Sequence, residues 1–188
     1  MNIIKTDIEG VLIIEPRVFE DSRGYFFESY SKRDFDAQVG SMEFRQDNES
    51  RSVRGVLRGL HFQLPPHAQA KLVRCVRGEV LDVAVDIRKG SPSYGAHVAV
   101  RLSEDNHRQL FIPHGFAHGF SVLSDVAVLQ YKCDNQYCAE ADGGISILDS
   151  SLGIDWVINS AEAILSEKDL HRPCLAEFDS PFIYESGK

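Results

Sequence analysis

Two stretches of this chain, and a tyrosine beyond them, carry side chains of the types needed to move protons at carbon. His61 and Lys71 lie in Arg54–Lys71, RGVLRGLHFQLPPHAQAK; His114 and His118 lie in Ile112–Phe120, IPHGFAHGF; Tyr131 follows in VAVLQYK. An imidazole can take a proton from a carbon beside a carbonyl. An ammonium can donate to the oxygen on which charge then develops, and a phenol can return a proton to the opposite face.

Each residue alone has a plainer explanation. A lone strand histidine is usually a hydrogen-bonded core residue, a lysine that opens a strand is usually a solvated edge charge, and a sheet tyrosine is usually half-buried packing. Proximity would give them a joint meaning, and proximity depends on the strands. If Gly55–Gln63 is a strand, Leu57, Gly59, His61 and Gln63 share one face, with Arg58, Leu60 and Phe62 on the other. Arg58 then joins His61 only if a bulge at Gly59 breaks the alternation or the pocket wraps the strand edge. Lys71 opens the next strand, after the turn-rich LPPHAQA. In HGFAHGF, Phe116 and Phe120 offer apolar walls while His114 and His118 bracket a turn, and spacing does not say which histidine is functional. Ser166-Glu167-Lys168-Asp169 resembles a capping box, which makes Asp169 structural; alternatively Asp169 orients His61 and raises its basicity. Arg23, Arg58, Arg74 and Arg77 are candidates for holding phosphates. DSRGYFFES and FRQDNES mix polar and aromatic residues, as segments lining a pocket for a polar, ring-bearing ligand do.

The elements that must position these groups read as strands. Short β-type runs are expected at Val11–Pro16, Gly24–Tyr30, Gly55–Gln63, Lys71–Arg77, Val80–Ile87, His97–Leu102, Arg108–Ile112, Gly119–Leu123, Val126–Lys132 and Ile145–Leu148, with Gly, Pro, Asp and Ser between them. In Val80–Ile87, Leu81, Val83, Val85 and Ile87 share one face and Asp82 and Asp86 mark the other. Arg77-Gly78-Glu79 reads as a tight turn with positive φ at the glycine. Short helices are expected over Ser31–Val39 and after Ser166. No βαβ alternation appears, so the expected fold is all-β, a double-sheet jelly roll in one domain over residues 1–188, with a pocket between its sheets.

Composition agrees with a globular chain: 43% hydrophobic and 26% charged, with a net charge of −8. That sign argues against a nucleic-acid or anionic-membrane surface, although local arginines can still hold a diphosphate. The N-terminal stretch is interrupted by Lys5, Asp7 and Glu9 and does not read as a signal peptide or anchor. The four cysteines, Cys75, Cys133, Cys138 and Cys174, form no CxxC pair, so reduced thiols and a cytoplasmic location are expected. No GxSxG, Walker-type loop or GxGxxG occurs. A metal site is disfavoured because no HxH occurs, although His61, His67 and His118 could converge.

These segments, in this order, resemble the dTDP-4-dehydrorhamnose 3,5-epimerase family. The resemblance runs from IIEPRVFEDSRGYFFES through FRQDNES, VLRGLHFQLPPHAQAKLVRCVRGEVLDVAVDIRKGSP, RQLFIPHGFAHGFSVLSD and QYK to LGIDW and ILSEKD. It implies a cupin-type jelly roll without cofactor or metal, a homodimer, and inversion at C3 and C5 of a dTDP-4-keto-6-deoxy sugar, giving dTDP-4-dehydro-L-rhamnose. It assigns His61 as general base, Asp169 as its carboxylate partner, Lys71 to the C4 oxygen and Tyr131 as proton donor on the opposite face. Arg23, Glu28, Gln46, Asn48, Arg58, His118, Asp142 and Lys168 fall at substrate-binding positions. The chain departs from the family pattern at ILDSS before LGIDW, at Asp142 where many members carry glutamate, at His114 where an acidic residue is common, and at Ala70 where glycine is common. Two alternatives remain open: an enzyme that inverts only C3 or C5 of a related dTDP-4-keto sugar, and a non-catalytic cupin that binds a sugar nucleotide or a metal.

Overall fold

Leu81, Val83, Val85 and Ile87 share a strand face as alternation requires, yet both faces of that strand are buried. The computed structural model describes residues 1–185, and its strands form two main sheets that explain this. In chain order they are β1 Asn2–Lys5, β2 Leu12–Glu15, β3 Phe19–Asp21, β4 Gly24–Phe26, β5 Gln46–Val53, β6 Leu57–Gln63, β7 Lys71–Arg77, β8 Glu79–Asp86, β9 His97–Ser103, β10 Gln109–Ile112, β11 Phe116–Val122, β12 Val126–Cys133 and β13 Asp142–Gly144.

One sheet has the order β1-β2-β10-β7-β12-β5 and the other β13-β6-β11-β8-β9; β3 and β4 form a separate hairpin. All pairings between these strands are antiparallel. The fold is the expected double-sheet jelly roll. Val73, Cys75, Leu110, Ile112 and Leu129 of the first sheet meet Val80, Ala84, Leu102, Phe116, Phe120 and Val122 of the second. Each large apolar side chain removed from water there contributes roughly 1.5–3 kcal/mol. The Leu81 face lies outside this core, packed under Leu152, Leu175 and Phe182 of the C-terminal segment. The Asp82 face therefore looks inward. On the opposite flank α1, Lys32–Gln38, is capped by Ser31 and buries Phe35 against Ile14, Leu72 and Phe111. The expected Gly78 turn is present, with φ +75°.

Several strand boundaries differ from expectation for physical reasons. β5 was not foreseen because QDNESRSV has no apolar alternation; its residues alternate in exposure all the same. β1, β3 and β13 are three or four residues long, too short for a period to show. The expected strand over Gly24–Tyr30 stops at Phe26, on an exposed hairpin. Ile145–Leu148 is not a strand; Ile145 still exchanges hydrogen bonds with Leu60, and Asp149 then caps a 3-10 turn. β11 starts at Phe116, so His118 sits inside a strand instead of bracketing a turn. No helix among the described residues is long and apolar enough to cross a membrane.

Candidate active site

The ladder between β6 and β11 pairs His61 with His118 but Arg58 with Phe120, so that two residues of β6, Gly59 and Leu60, lie opposite the single Gly119 of β11. That bulge is the departure from alternation that Arg58 requires. It is built on Gly59, whose φ of +126° suits glycine, and where a Cβ would lie 2.5 Å from the Gly119 Cα. Arg58 and His61 consequently line the same cavity, with Leu57 at its edge, while Leu60 and Phe62 join the apolar cluster behind the sheet. Arg58 donates to Ser52 Oγ at 3.0 Å.

The cavity holds about 360 Å³ and brings together His61, Lys71, His118, Tyr131 and Asp169 with Arg58. A second hollow of about 250 Å³ shares His61, Lys71 and Tyr131 and adds Gln46, Asn48, Tyr137 and Asp142. His61 hydrogen-bonds through Nε2 to the Asp169 carboxylate, which is 2% exposed. Asp169 belongs to the one-turn helix α2, Glu167–Leu170, and its backbone N–H donates to Ser166 Oγ at 3.2 Å. Only half of the expected capping box is present, the Ser166 side chain accepting from the Asp169 backbone, while the Asp169 carboxylate is turned to His61. His118 is held in the same way, its Nε2 2.6 Å from buried Asp82. Lys71 Nζ stands 6.0 Å from the centre of the Tyr131 ring and makes no ion pair among the described residues.

Burial sets the protonation of most of these groups. It pushes the Lys71 ammonium below its ordinary value, against the pull of the Asp82 and Asp142 carboxylates. It pushes the Tyr131 phenol up, which keeps the proton on oxygen. It lowers His118 despite the Asp82 carboxylate beside it. For Asp169, burial raises the pKa, but the His61 hydrogen bond, with Ser166 and Arg172 adding to it, holds the carboxyl below the usual carboxylate range.

The remaining expected residues divide. Gln46 donates to Asn48 Oδ1 at 2.8 Å, and both edge the second hollow. Asp142 is there too, paired with Lys168 and Arg172. Arg23 is not brought to the cavity: it sits on the β3–β4 hairpin, paired with Asp21. Glu28 lines a separate depression with Phe19 and Phe35. Of the phosphate candidates, Arg74 stacks over Phe27 and Arg77 ends β7 exposed. Of the two histidines of HGFAHGF, His118 lines the cavity, whereas His114 is half-exposed beside Asp134. His67 borders neither hollow. Among the described residues no three His, Cys, Asp or Glu side chains gather as a metal cluster would need.

Asp82, Arg172, Ser52 and Tyr137 were not foreseen as parts of the site. Asp82 did leave a signal, a charge flanked by Val80, Leu81, Val83 and Ala84 in β8. Arg172 and Tyr137 left none, since each lies in an irregular segment whose path only tertiary structure shows.

An interior of this kind, set in a jelly roll, suits an isomerase that moves protons at carbon next to a carbonyl. Relatives narrow the class. The sequence pattern described as dTDP-4-dehydrorhamnose 3,5-epimerase matches residues 5–177. A dTDP-4-dehydrorhamnose 3,5-epimerase of Shigella flexneri is 56% identical over 91% of this chain and 94% of its own length. The crystal structure of a dTDP-6-deoxy-D-glucose-3,5-epimerase from Legionella pneumophila, in complex with dTDP-4-keto-L-rhamnose, superposes with a TM-score of 0.94 at 46% identity, covering 98% of this chain and 99% of that one. A 3'-monoepimerase from Streptomyces bikiniensis, in complex with dTDP-quinovose, gives 0.86 at 35% identity over 91% and 86% of the two chains. The chain belongs to the dTDP-4-dehydrorhamnose 3,5-epimerase family, and it is an isomerase.

Proposed function

We propose that this chain inverts both C3 and C5 of dTDP-4-dehydro-6-deoxy-D-glucose through enolates, with His61 as the base. The observation that carries this reading is the imidazole of His61, backed by a buried carboxylate, in one cavity with Lys71 and Tyr131. The C4 ketone acidifies the protons on C3 and C5. His61 removes one, the electron pair moves to the C4 oxygen, and Lys71 donates to that oxygen as charge develops. A lysine of lowered pKa is a stronger acid towards an enolate. Tyr131, kept protonated by burial, returns a proton to the opposite face and so inverts the centre.

Arg58, His118, Gln46 and Asn48 hold the sugar nucleotide on this reading, with Asp142 and Lys168 at its margin. Arg23 and Glu28 are assigned to substrate as well, and within one chain they stand apart from the cavity. A homodimer answers this, with the hairpin reaching the second protomer. Phe19, Tyr25 and Phe26 on that hairpin are 51%, 59% and 67% exposed, as a surface awaiting a partner would be. Four unpaired cysteines support a cytoplasmic enzyme.

Incubation with the 4-keto sugar nucleotide in D₂O, without added metal or nicotinamide, tests the chemistry. Deuterium is expected at both C3 and C5, with Tyr131→Phe impairing inversion mainly at C5. Label at a single carbon would instead make the chain a monoepimerase, and no label would leave it a binding protein.

A further inference from the structure

The carboxylate that backs His61 sits on α2, one turn of four residues with no length of its own to fix its direction. His61 itself is on β6. Besides their mutual hydrogen bond, the two segments are joined by a cluster that the proton transfers do not use. Lys168, just before Asp169, and Arg172, three residues after it, both reach Oδ2 of Asp142. Asp142 opens β13, whose register pairs Asp142 with Gln63 and Gly144 with His61. The Arg172 side chain lies over Gly144, where a Cβ would come 2.9 Å from its Nε and 3.1 Å from its Cδ. Arg172 and Asp142 are each 14% exposed, against 56% for Lys168. Arg172 is thus the less screened of the two cations.

We propose that Arg172 is a positioning residue for the His61–Asp169 base: through Asp142 and Gly144 it clamps α2 to the strand carrying His61, and its charge favours the carboxylate form of Asp169. The proposal rests on the assignment of His61 and Asp169 as the base. The direction at Asp169 agrees: burial raises its pKa, and the His61 bond, the Ser166 bond and the Arg172 charge together bring it below the usual range. Other titratable groups also face the pair and remain in every variant: Arg58 on β6, Lys71 on β7, Asp82 on β8, His118 on β11, Tyr131 on β12 and Lys168 on α2. Asp142 then acts as a structural bridge more than as a contact to substrate.

The test measures epimerisation kinetics against pH for the full chain and for Arg172→Met, Arg172→Lys, Arg172→Gln and Asp142→Asn. Arg172→Met is expected to lower kcat by about tenfold or more, with KM within about twofold, because the base and its partner lose alignment. The acidic limb of kcat/KM moves to higher pH, since loss of the Arg172 charge makes the Asp169 carboxylate easier to protonate. Arg172→Lys restores the limb but not all of kcat, as it keeps the charge without the planar fork. Should Arg172→Met fail to fold, Arg172→Gln keeps a donor to Asp142 without the charge and shifts the limb. A folded Arg172→Met or Arg172→Gln enzyme whose limb and kcat stay at wild-type values overturns the proposal, even if its melting temperature drops. So does Asp142→Asn raising KM alone, which would make Asp142 a substrate contact. Failure of the wild-type chain to exchange deuterium would remove the base assignment instead, a separate result.

Discussion

Asp169→Asn keeps the size of the side chain and the backbone cap on Ser166, yet removes the charge facing His61. When His61 takes a proton, the imidazolium lies against the carboxylate. Two unit charges about 4 Å apart attract by roughly 4 kcal/mol at an effective dielectric constant near 20. The His61 side chain is 35% exposed and that of Asp169 only 3%, so solvent weakens the attraction from one side. A loss of about 2–4 kcal/mol, or roughly 30- to 1000-fold in rate, follows. The amide adds a second effect. Its NH₂ can donate to Nε2, which places the ring proton on Nδ1 and removes the free lone pair that a base needs. The upper end of the range is therefore expected. Deuterium incorporation at C3 and C5, followed by proton NMR under single-turnover conditions, measures the chemical step directly, and a thermal melt confirms the fold. A folded Asp169→Asn enzyme within about threefold of wild type would refute the reasoning, because an interaction made mainly to the protonated base would then be absent.

Gly59→Ala places a Cβ 2.5 Å from the Gly119 Cα and 2.7 Å from the His118 carbonyl oxygen, at a φ of +126°. Backbone strain costs about 1–3 kcal/mol and overpacking about as much again, so melting should fall by at least about 4 °C, with exchange lost as Arg58 and His61 leave register; an unchanged melt with full activity would remove the bulge from the account. Sedimentation should return about twice the chain mass of 21.1 kDa, and Phe26→Glu should return the monomer with weakened substrate binding; a fully active wild-type monomer would remove the partner's hairpin from the site.

How far the sequence alone reaches depends on what each strand faces. β8 is legible because Leu81, Val83, Val85 and Ile87 meet a dry layer, which imposes an apolar period of two. β5 is silent for the converse reason. Its inward side chains Gln46, Asn48, Ser50 and Ser52 face the polar cavity or the Arg58 guanidinium, so nothing in that environment selects apolar residues. A strand that builds the site is thus the kind of strand that hydrophobic periodicity passes over. α1 and α2 are readable from their caps, because Ser31 and Ser166 act within a single turn.

The same division holds inside the site. His61, Lys71 and Tyr131 can be picked out by type, but the partners that give them function come from distant segments: Asp169 lies 108 residues from His61, and Asp82 lies 36 from His118. Local pattern carries no information about such pairs: Asp82 and Asp86 mark the second face of β8 without showing that His118 is the partner of Asp82. Gly59 sits between these cases. Strict alternation sends Arg58 and His61 to opposite faces, and their shared chemistry requires one face. The conflict between pattern and chemistry leaves two outcomes open, a bulge at Gly59 or a pocket that wraps the strand edge, and the shifted register opposite Phe120 and His118 is the first of them. A local rule broken at a residue whose neighbours carry the chemistry marks a place where the fold gives up regular pairing for the site.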